Sequence, residues 1–324
     1  MNKTNILITS AGRRSLLIEY FKKEFKGKGK VITTDCSDLA PATYLSDKNY
    51  IVPRIDHPDY ITELMKICKK EKVNAILSLI DPELSLLSKH SGKFDKIGTK
   101  IIVSPYKDCE LWLDKFDTYK FLKENKFNCA LTFNDYKEFK KSYDAKSIDF
   151  PVFIKPQRGS ASLNINKVKN LKEAEIVFTS AEGMIIQEYL KGQEIGVDVY
   201  IDLVSKEIIS IFSKEKIAMR AGETDKARSF KCKNLFNTVQ KLISKTNLVG
   251  PIDIDVFKIG KKYYISEINP RFGGGYPLAY ECGENFPKFI LDNLNGLKNK
   301  PQIGKYEVDV VMMKHERIEI KKSL

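Results

Sequence analysis

Several common features are missing from this sequence, and each absence removes a class of protein. No apolar run approaches the roughly 20 residues of a membrane-spanning helix. The short apolar run at residues 5–10 predicts a strand and lacks the length and cleavage site of a signal peptide. The six cysteines are scattered without a CxxC pair, as is typical of reduced thiols, and the three histidines show no metal-ligand spacing. We therefore expect a cytoplasmic protein with no zinc site and no membrane partner.

Two further signatures are lacking, those of common nucleotide loops and of nucleic-acid binding. The sequence contains neither GxGxxG nor GxxxxGKS/T, so any nucleotide must be held by other means. The formal net charge is +13, but the lysines are dispersed along the chain. Either this excess of positive charge attracts anionic small molecules, or it reflects the amino-acid composition of the lineage. Nucleic acid is not an expected partner.

The first 106 residues alternate short apolar strands with amphipathic helices. This alternation predicts a parallel sheet with helices on both faces, in which ligands bind at the carboxyl ends of the strands. The turn at residues 10–13 lies at such an end, and with Arg13 and Arg14 it predicts either an anion site or an ordinary strand-to-helix turn. Asp81, in a second such turn, belongs either to a substrate site or to a helix cap.

The pattern changes after residue 108 and becomes less regular. The charged, glycine-containing segment 213–229 predicts a mobile loop. The periodicity predicts helices at residues 111–125, 171–179, 234–246 and 276–294, and strands at residues 150–156, 164–168, 184–190, 192–200, 207–212 and 308–314.

A β-hairpin with a three-residue loop at 260–262 carries the strongest chemical signal. Pairing outward from that loop places Asp255 opposite Glu267 and Asp253 opposite Asn269, with all four side chains on one face. Two carboxylates and an amide oxygen at such short range favour a divalent cation, and oxygen-only ligands suit Mg²⁺. The alternative is a solvated outer face of an edge hairpin.

A second candidate feature is Lys155, which ends an apolar strand. The small-residue loop that follows contains Gly159 and Ser160 and is rich in backbone donors. A lysine followed by such a loop suits a polyphosphate, because the ammonium offsets charge and backbone N–H groups reach the oxygens. The alternative is a surface lysine at the end of an ordinary strand.

Taken in order, these elements resemble the ATP-grasp family, and most closely its branch related to the large subunit of carbamoyl-phosphate synthase. The resemblance covers roughly residues 1–295, with one set of motifs where that subunit carries two. The elements that carry it are Asp114-Lys115-Phe116, Val152-Phe153-Ile154-Lys155-Pro156, Gln187-Glu188-Tyr189-Leu190 followed by Gly192-Gln193-Glu194, then Asp255, and Glu267-Ile268-Asn269-Pro270-Arg271.

The resemblance implies a fold of class α/β and then α+β. An N-terminal parallel-sheet, Rossmann-like domain that precedes the grasp unit would span residues 1–108. The small and large subdomains of a two-lobed ATP-grasp domain would span residues 109–185 and 186–295, and a C-terminal tail would span residues 296–324.

The resemblance also implies how Mg-ATP is held between the lobes. The phosphates would be contacted by Lys115, Lys155 and the loop 158–162 with Arg158, Gly159 and Ser160. The adenine and ribose would be contacted by Gln187, by backbone groups of Glu188 and Leu190 around Tyr189, and by Glu194. Mg²⁺, with Mn²⁺ as the alternative ion, would be held by Asp255, Glu267 and Asn269.

The implied activity is ligation of a small-molecule carboxylate to an amine, or to a thiol, through an acyl phosphate. Arg271 would neutralise the transferring phosphoryl group, and Arg220 with Glu223 would contact the acid or shield the intermediate. The alternatives are a small-molecule kinase with the same fold and a non-catalytic nucleotide-binding or regulatory subunit. A homodimer is the oligomeric state that we allow for.

Overall fold

A parallel sheet forms the first part of the molecule, whose computed structural model describes residues 3–159 and 164–321. Its strands are β1 (Asn5–Thr9), β2 (Val31–Asp35), β3 (Lys48–Ile51), β4 (Val73–Ser78) and β5 (Lys100–Ile101). They lie in the order β3-β2-β1-β4-β5. The helices of this part are α1 (Ser15–Phe25), the 3-10 helix Pro41–Leu45, α2 (Tyr60–Glu71), α3 (Asp81–Lys89) and α4 (Ser91–Asp95).

Both faces of this sheet are buried, because successive side chains of a strand point to opposite faces. In β1, Ile6 and Ile8 belong to a core that includes Phe21 of α1. Leu7, between them, belongs to a separate core that includes Leu64 of α2. The predicted coverage of the sheet on both faces is therefore confirmed.

The small lobe follows and is built on an antiparallel sheet with the order β6-β9-β7-β8. It has its own hydrophobic core around Phe139, Ile154 and Ile186. Its strands are β6 (Thr132–Phe133), β7 (Val152–Pro156), β8 (Asn166–Val168) and β9 (Met184–Glu188). Helices α5 (Tyr106–Leu113) and α6 (Lys115–Glu124) precede it in sequence and pack into the core of the large lobe through Trp112 and Leu122. The helices of the small lobe itself are α7 (Tyr136–Asp144) and α8 (Leu171–Thr179).

The large lobe is built on a longer antiparallel sheet with the order β14-β13-β10-β11-β12-β15. Its strands are β10 (Gln193–Ile201), β11 (Ile208–Arg220), β12 (Glu223–Phe230), β13 (Gly250–Ile259), β14 (Lys262–Asn269) and β15 (Val311–Met313), and its helices are α9 (Lys233–Ile243), α10 (Tyr276–Glu281) and α11 (Phe286–Leu294). The predicted boundary at 185/186 falls inside β9, and the predicted tail contributes β15 to this sheet.

The parallel-sheet part and the large lobe share one continuous core. The ring of Phe21 in α1 meets the ring of Phe272 edge-on, with 5.8 Å between centroids. Tyr276 and Phe286, also fully buried, extend this core into the large lobe. The two parts are therefore packed as one body, whereas the small lobe has a separate core. Together these elements confirm the predicted fold class, a parallel α/β part followed by a two-lobed α+β part.

Two predicted helices are each divided in two. The helix predicted at residues 111–125 breaks at Asp114, whose carboxylate accepts hydrogen bonds of 3.0 Å from the backbone of Phe116 and Asp117 and caps α6. The helix predicted at residues 276–294 is interrupted after α10, where Gly283 adopts a φ of +105°. Helical periodicity alone does not reveal such breaks, because the apolar positions continue in phase across them.

The segment 213–229 was predicted as a mobile loop, and that prediction is wrong. Strand β11 continues to Arg220 and pairs with β12 in a long hairpin. The predicted strand at residues 308–314 is shorter, with only β15 pairing to β12. Among the described helices, we find none that is long and apolar enough to cross a membrane.

Candidate functional site

A cleft of about 570 Å³ lies where the small lobe, the large lobe and the parallel-sheet part meet. Turns at the carboxyl ends of β1 and β4 contribute Arg13, Arg14 and Asp81 to its wall. The predicted site residues that line it are Lys155, Gln187, Glu188, Tyr189, Leu190, Glu194, Asp255, Glu267, Asn269 and Arg271.

The acidic face of the hairpin is arranged as predicted. Asp255 pairs with Glu267, and Asp253 pairs with Asn269, across β13 and β14. The predicted route to that register was wrong, however, because the loop has two residues and not three. A bulge between Asp255 and Val256 compensates for the shorter loop and restores the same opposed pairs.

One buried ammonium is shared by two carboxylates of the cleft. Lys216 Nζ lies 2.6 Å from Asp255 Oδ1 and 2.8 Å from Glu194 Oε1. Burial raises the pKa of Asp255 to about 7, even though Lys216 attracts its charged form. Repulsion from Glu267 acts in the same direction as burial. A cation near Asp255 would therefore stabilise the charged form of its carboxylate.

Lys155 and Glu267 are uncommitted charges in the same cleft. Neither side chain forms an ion pair or a side-chain hydrogen bond with another residue in the described ranges. Burial lowers the pKa of Lys155 to about 8, and the nearby ammonium of Lys115 adds to this effect. The charge of Glu267 acts against it. A half-buried ammonium of this kind is suited to an anionic ligand.

Beside the acidic face lies an arginine held between two carboxylates. Arg271 Nη2 lies 3.1 Å from Asp81 Oδ2, and Arg271 Nη1 lies 3.0 Å from Asp253 Oδ2. Although burial lowers the pKa of an arginine, these carboxylates raise that of Arg271 above its ordinary value. Asp81 makes this ion pair and no side-chain cap to α3, so its predicted alternative role as a helix cap is not observed.

Residues 187–190 cross from the small lobe to the large lobe along the cleft. Gln187 Nε2 donates to Thr132 Oγ1 over 3.0 Å, which leaves its carbonyl oxygen as the available acceptor. Glu188 Oε2 accepts from the backbone of Leu131 over 3.0 Å, so its side chain is committed. The ring of Tyr189 is covered by the ammonium of Lys167, 3.8 Å from the ring centroid.

Lys115 contacts the start of the predicted phosphate loop at residues 158–162. Lys115 is the first residue of α6, and its Nζ donates to the carbonyl oxygen of Gly159 over 2.7 Å. Burial lowers the pKa of Lys115, while Glu267 opposes that shift. Ser160, the next predicted residue, lies outside the described residues. Lys115 thus holds the loop where it approaches Lys155.

Two predicted arginines are directed elsewhere by ion pairs. Arg158 Nη2 lies 2.8 Å from Glu110 Oε2, which draws the guanidinium towards α5. Arg220, at the end of β11, is exposed and lies 3.8 Å from Asp225 and 3.7 Å from Glu316. Contrary to the prediction, the structure brings neither side chain into the wall of the cleft.

The sequence prediction missed Lys216 because it fell in the supposed loop. Lys214 and Lys216 both point inward from β11, and Lys214 forms a buried ion pair with Asp198. A signal was present in Gly196 on the neighbouring strand, where a Cβ atom would lie 2.9 Å from the Lys214 side chain. A glycine inside a strand often marks such a close approach.

Two family models match the chain. The model described as "PylC-like, N-terminal domain" matches residues 6–102. The model described as "ATP-grasp domain" matches residues 112–275, just over half of the chain. Each match falls on parts of the fold described above, the first on the parallel sheet and the second on the two lobes.

Curated relatives agree with these matches. The carbamoyl phosphate synthase large chain of Clostridium acetobutylicum is 24% identical over 271 residues, covering 78% of this chain and 24% of that protein. A D-alanine–D-alanine ligase of Clostridium botulinum is 35% identical over 144 residues, covering 40% of this chain and 47% of that protein. The chain therefore matches less than half the length of either relative.

Among solved structures, the N5-carboxyaminoimidazole synthetase of Staphylococcus aureus complexed with ADP superposes with a TM-score of 0.75 at 18% identity. The superposition covers 97% of this chain and 83% of that one, which shows a shared fold. The family model, the shared fold and the residues gathered in the cleft lead to one conclusion: this chain belongs to the ATP-grasp family.

Proposed function

We propose that the protein is an ATP-dependent ligase that joins a carboxylate to an amine through an acyl phosphate. The observation that carries the proposal is the pair of uncommitted charges in the cleft, Lys155 on the small lobe and Glu267 on the large lobe. Leaving either charge half-buried and unpaired costs free energy. A nucleotide phosphate beside Lys155 and a divalent cation beside Glu267 would satisfy both.

The nucleotide would lie along the segment that joins the lobes. The free carbonyl oxygen of Gln187 would accept from an adenine amine, and the backbone of Glu188 and Leu190 would contact the ring edge. Glu194 uses one carboxylate oxygen for Lys216, and its other oxygen would accept from a ribose hydroxyl. Lys155 would contact the phosphates, and Lys115 would position the loop that begins at Arg158 and includes Gly159 and Ser160.

The hairpin face fits Mg²⁺ by the chemistry of its donors. Asp255, Glu267 and Asn269 offer oxygen ligands on one wall, and oxygen is the ligand that Mg²⁺ and Mn²⁺ prefer. Asp255 and Glu267 would supply two carboxylates and Asn269 an amide oxygen, and phosphate oxygens with water would complete the coordination. The bound ion would offset phosphate charge during transfer.

The reaction would proceed in two balanced steps. A carboxylate oxygen of the acid attacks the γ-phosphorus. The bond between the γ-phosphorus and the oxygen that bridges it to the β-phosphate breaks, and ADP leaves with that electron pair. The amine then attacks the acyl carbon, inorganic phosphate leaves, and the amine loses one proton. Arg271, fixed by Asp81 and Asp253, would stabilise the negative charge on the transferring group.

Product analysis separates this function from its alternatives. A kinase would leave the phosphoryl group on its product, and a thiol acceptor would yield a thioester. A regulatory subunit would bind ADP without turnover. By its name, the D-alanine–D-alanine ligase relative uses an amino acid as acceptor, which supports an amine.

We further propose a cytoplasmic location, and a homodimer stays a prediction.

The test is ADP release by the full-length protein with Mg-ATP, a library of small acids, and hydroxylamine as a general nucleophile. A ligase forms a hydroxamate together with equal amounts of ADP and phosphate. Glu267→Gln should lower turnover by several orders of magnitude, because it removes a carboxylate from the metal face. Glu175→Gln, on the exposed surface of α8, is the matched control and should behave as the wild type. Wild-type turnover by Glu267→Gln would contradict the metal assignment.

A further inference from the structure

One end of the cleft is basic, and the proposed function gives its two arginines no role. It is formed by Arg13 and Arg14, in the turn after β1, and by Glu223 at the tip of the β11–β12 hairpin. Gly274 lies against this group, and a Cβ atom there would stand 3.1 Å from Arg14 Nη1. The glycine therefore leaves room for the guanidinium of Arg14 at the wall.

The turn that carries the two arginines is held rigidly. Ser10 Oγ donates to Glu83 Oε2 over 2.7 Å, and the backbone of Gly12 donates to Asp35 Oδ2 over 2.8 Å. Ser10 adopts a φ of +50°, which is uncommon for a residue with a side chain. Backbone strain of this kind persists only where surrounding contacts enforce it, and it is concentrated at ligand sites.

Glu83 is the anchor of that turn. It is fully buried and accepts hydrogen bonds from the hydroxyl groups of Ser10, Ser78 and Tyr60. A buried carboxylate bound by three hydroxyl donors fixes the position of Ser10 and hence the direction of the following arginines. The arginines are thus presented by a pre-organised support, which reduces the entropy cost of binding a ligand.

The charges at this end of the cleft do not cancel. Glu223 is shared between Lys314, at 2.9 Å, and Arg14, at 3.8 Å. A separation of 3.8 Å is too long for a hydrogen bond, so Arg14 keeps its donors available. Arg13 forms no ion pair with any residue that the structure describes. Arg271 already pairs with two carboxylates, so Arg13 and Arg14 carry the positive charge that has no close partner at this end of the cleft.

We propose that Arg13 and Arg14 bind a second anionic group of the acid that is activated. This inference rests on the proposed ligase function, in which the reacting carboxylate must lie by the γ-phosphate, beside Glu267 and Arg271. Arg271 is already held by Asp81 and Asp253, whereas Arg13 and Arg14 are left for a separate anion. The substrate acid is therefore a dianion, meaning an acid with two anionic groups whatever cationic group it also carries. Its second anionic group is a carboxylate or a phosphate, both of which arginine binds in bidentate fashion.

Matched pairs of acids test the inference by ADP release with hydroxylamine as nucleophile. The pairs are L-glutamate with L-glutamine, succinate with butyrate, and O-phospho-L-serine with L-serine, added to the library of small acids. We expect the best acid to be a dianion, and the glutamate and phosphoserine pairs to distinguish a carboxylate from a phosphate. A monocarboxylate as the best acid would overturn the inference and leave the ligase function intact.

Variants of the turn provide the second readout. Arg14→Gln and Arg13→Gln should each lower kcat/KM for the best dianion by about 10- to 100-fold, the range of a charge-assisted hydrogen bond, without changing the affinity for ADP. Arg13 is exposed, so its replacement removes no packing. Arg54→Gln, an exposed arginine that lies beside Asp56, is the control and should have no effect. Equal losses for monoanions and dianions would refute the assignment.

If no acid supports ADP release, that result counts against the ligase function. The anion site can then still be tested by measuring whether ligands stabilise the protein. The same acids are then added to wild-type protein and to both variants, and Tm is measured. Dianions that raise Tm for the wild type and not for Arg13→Gln or Arg14→Gln support the anion site. If no dianion in the library raises Tm selectively in the wild type, the anion site is rejected as well.

Discussion

Lys216 donates to Asp255 across 2.6 Å inside the cleft. The lysine side chain is 5% exposed and the aspartate side chain 20%, so this pair is shielded from water. A metal ion at the hairpin face would share Asp255 with the ammonium. The pair therefore couples the stability of the protein to occupancy of the proposed metal site.

The first prediction concerns Lys216→Met. Removing one partner of a buried ion pair leaves an uncompensated charge, so the free energy of unfolding should fall by about 3–5 kcal/mol. Mg²⁺ should restore more stability to the variant than it adds to the wild type, because the freed Asp255 can bind it fully. Urea unfolding with and without MgCl₂ measures both effects.

The control for this experiment is Lys258→Met, at an exposed position of strand β13 in the same sheet. It should change the free energy of unfolding by less than about 0.5 kcal/mol. Equal stabilisation of the wild type and Lys216→Met by Mg²⁺ would show that Asp255 is not a metal ligand.

The second prediction is a loss of ADP affinity at high pH. With a pKa of about 8, Lys155 is charged in the free protein below that pH and neutral above it. A bound phosphate favours the charged form and raises this pKa, so ADP binding takes up a proton above pH 8. Relative to its value at about pH 7.5, affinity should weaken by up to about tenfold per pH unit above 8.

Isothermal titration of ADP across this pH range, in buffers of different ionisation enthalpy, measures affinity and proton uptake together. Lys155→Met should bind ADP more weakly at pH 7 and should lose the proton uptake above pH 8. Replacement of the exposed Lys169 should leave the profile unchanged. A wild-type profile that is flat up to about pH 9.5 would contradict the role of Lys155.

The opposed pairs of the hairpin face could be predicted from sequence because they depend on local alternation. The apolar residues Val256 and Ile265 pair on the core side, and that pairing turns Asp255 towards the cleft. The loop length was wrong and yet the face was right, because burial of the apolar residues sets which side each carboxylate occupies. Local pattern therefore located the acidic face without the correct turn.

The partners of those carboxylates could not be predicted, because they come from distant parts of the chain. Arg271 pairs with Asp81, which is 190 positions away in sequence. Lys214 and Lys216 are buried against acidic residues of strands β10 and β13, whereas lysines in a charged segment normally face solvent. Only the three-dimensional pairing shows that these lysines of segment 213–229 face inward.

The third prediction tests how tightly the loop after Arg271 packs. A Cβ atom at Gly273 would stand 2.4 Å from Asp253 Oδ1, and Asp253 in turn holds Arg271. Gly273→Ala should therefore lower the free energy of unfolding by about 1–3 kcal/mol, the usual cost of overpacking. It should also reduce ADP release, because displacement of Asp253 shifts the guanidinium that stabilises the transferring phosphoryl group.

Gly92→Ala provides the matched control. Gly92 lies in helix α4, and a Cβ atom added there would meet nothing within 4 Å. The same change should therefore be neutral or stabilise the protein by about 0.4–1 kcal/mol. Thermal unfolding and ADP release distinguish the two variants. Equal behaviour of the two alanine variants would mean that Asp253 moves aside without cost.

The fourth prediction concerns the C-terminal segment, which connects the hairpin tip to the parallel-sheet part. Strand β15 pairs with β12, and Lys314 then reaches Glu223 across 2.9 Å. Farther along, Arg317 lies 2.6 Å from Glu19 of α1. Truncation after Val310 removes all three connections and should release the tip that lines the cleft.

Released from these contacts, β12 should exchange its amide hydrogens faster, because an edge strand has lost its covering partner. The KM for the acid should rise, since Glu223 and its neighbours form that end of the cleft. ADP affinity should change little, because Lys155 and residues 187–190 lie on the other side. Arg317→Ala alone removes only two exposed ion pairs, to Glu19 and Glu319, and should leave the exchange rates within about twofold. A truncated protein with wild-type exchange in β12 would show that the tip is held by β11 alone.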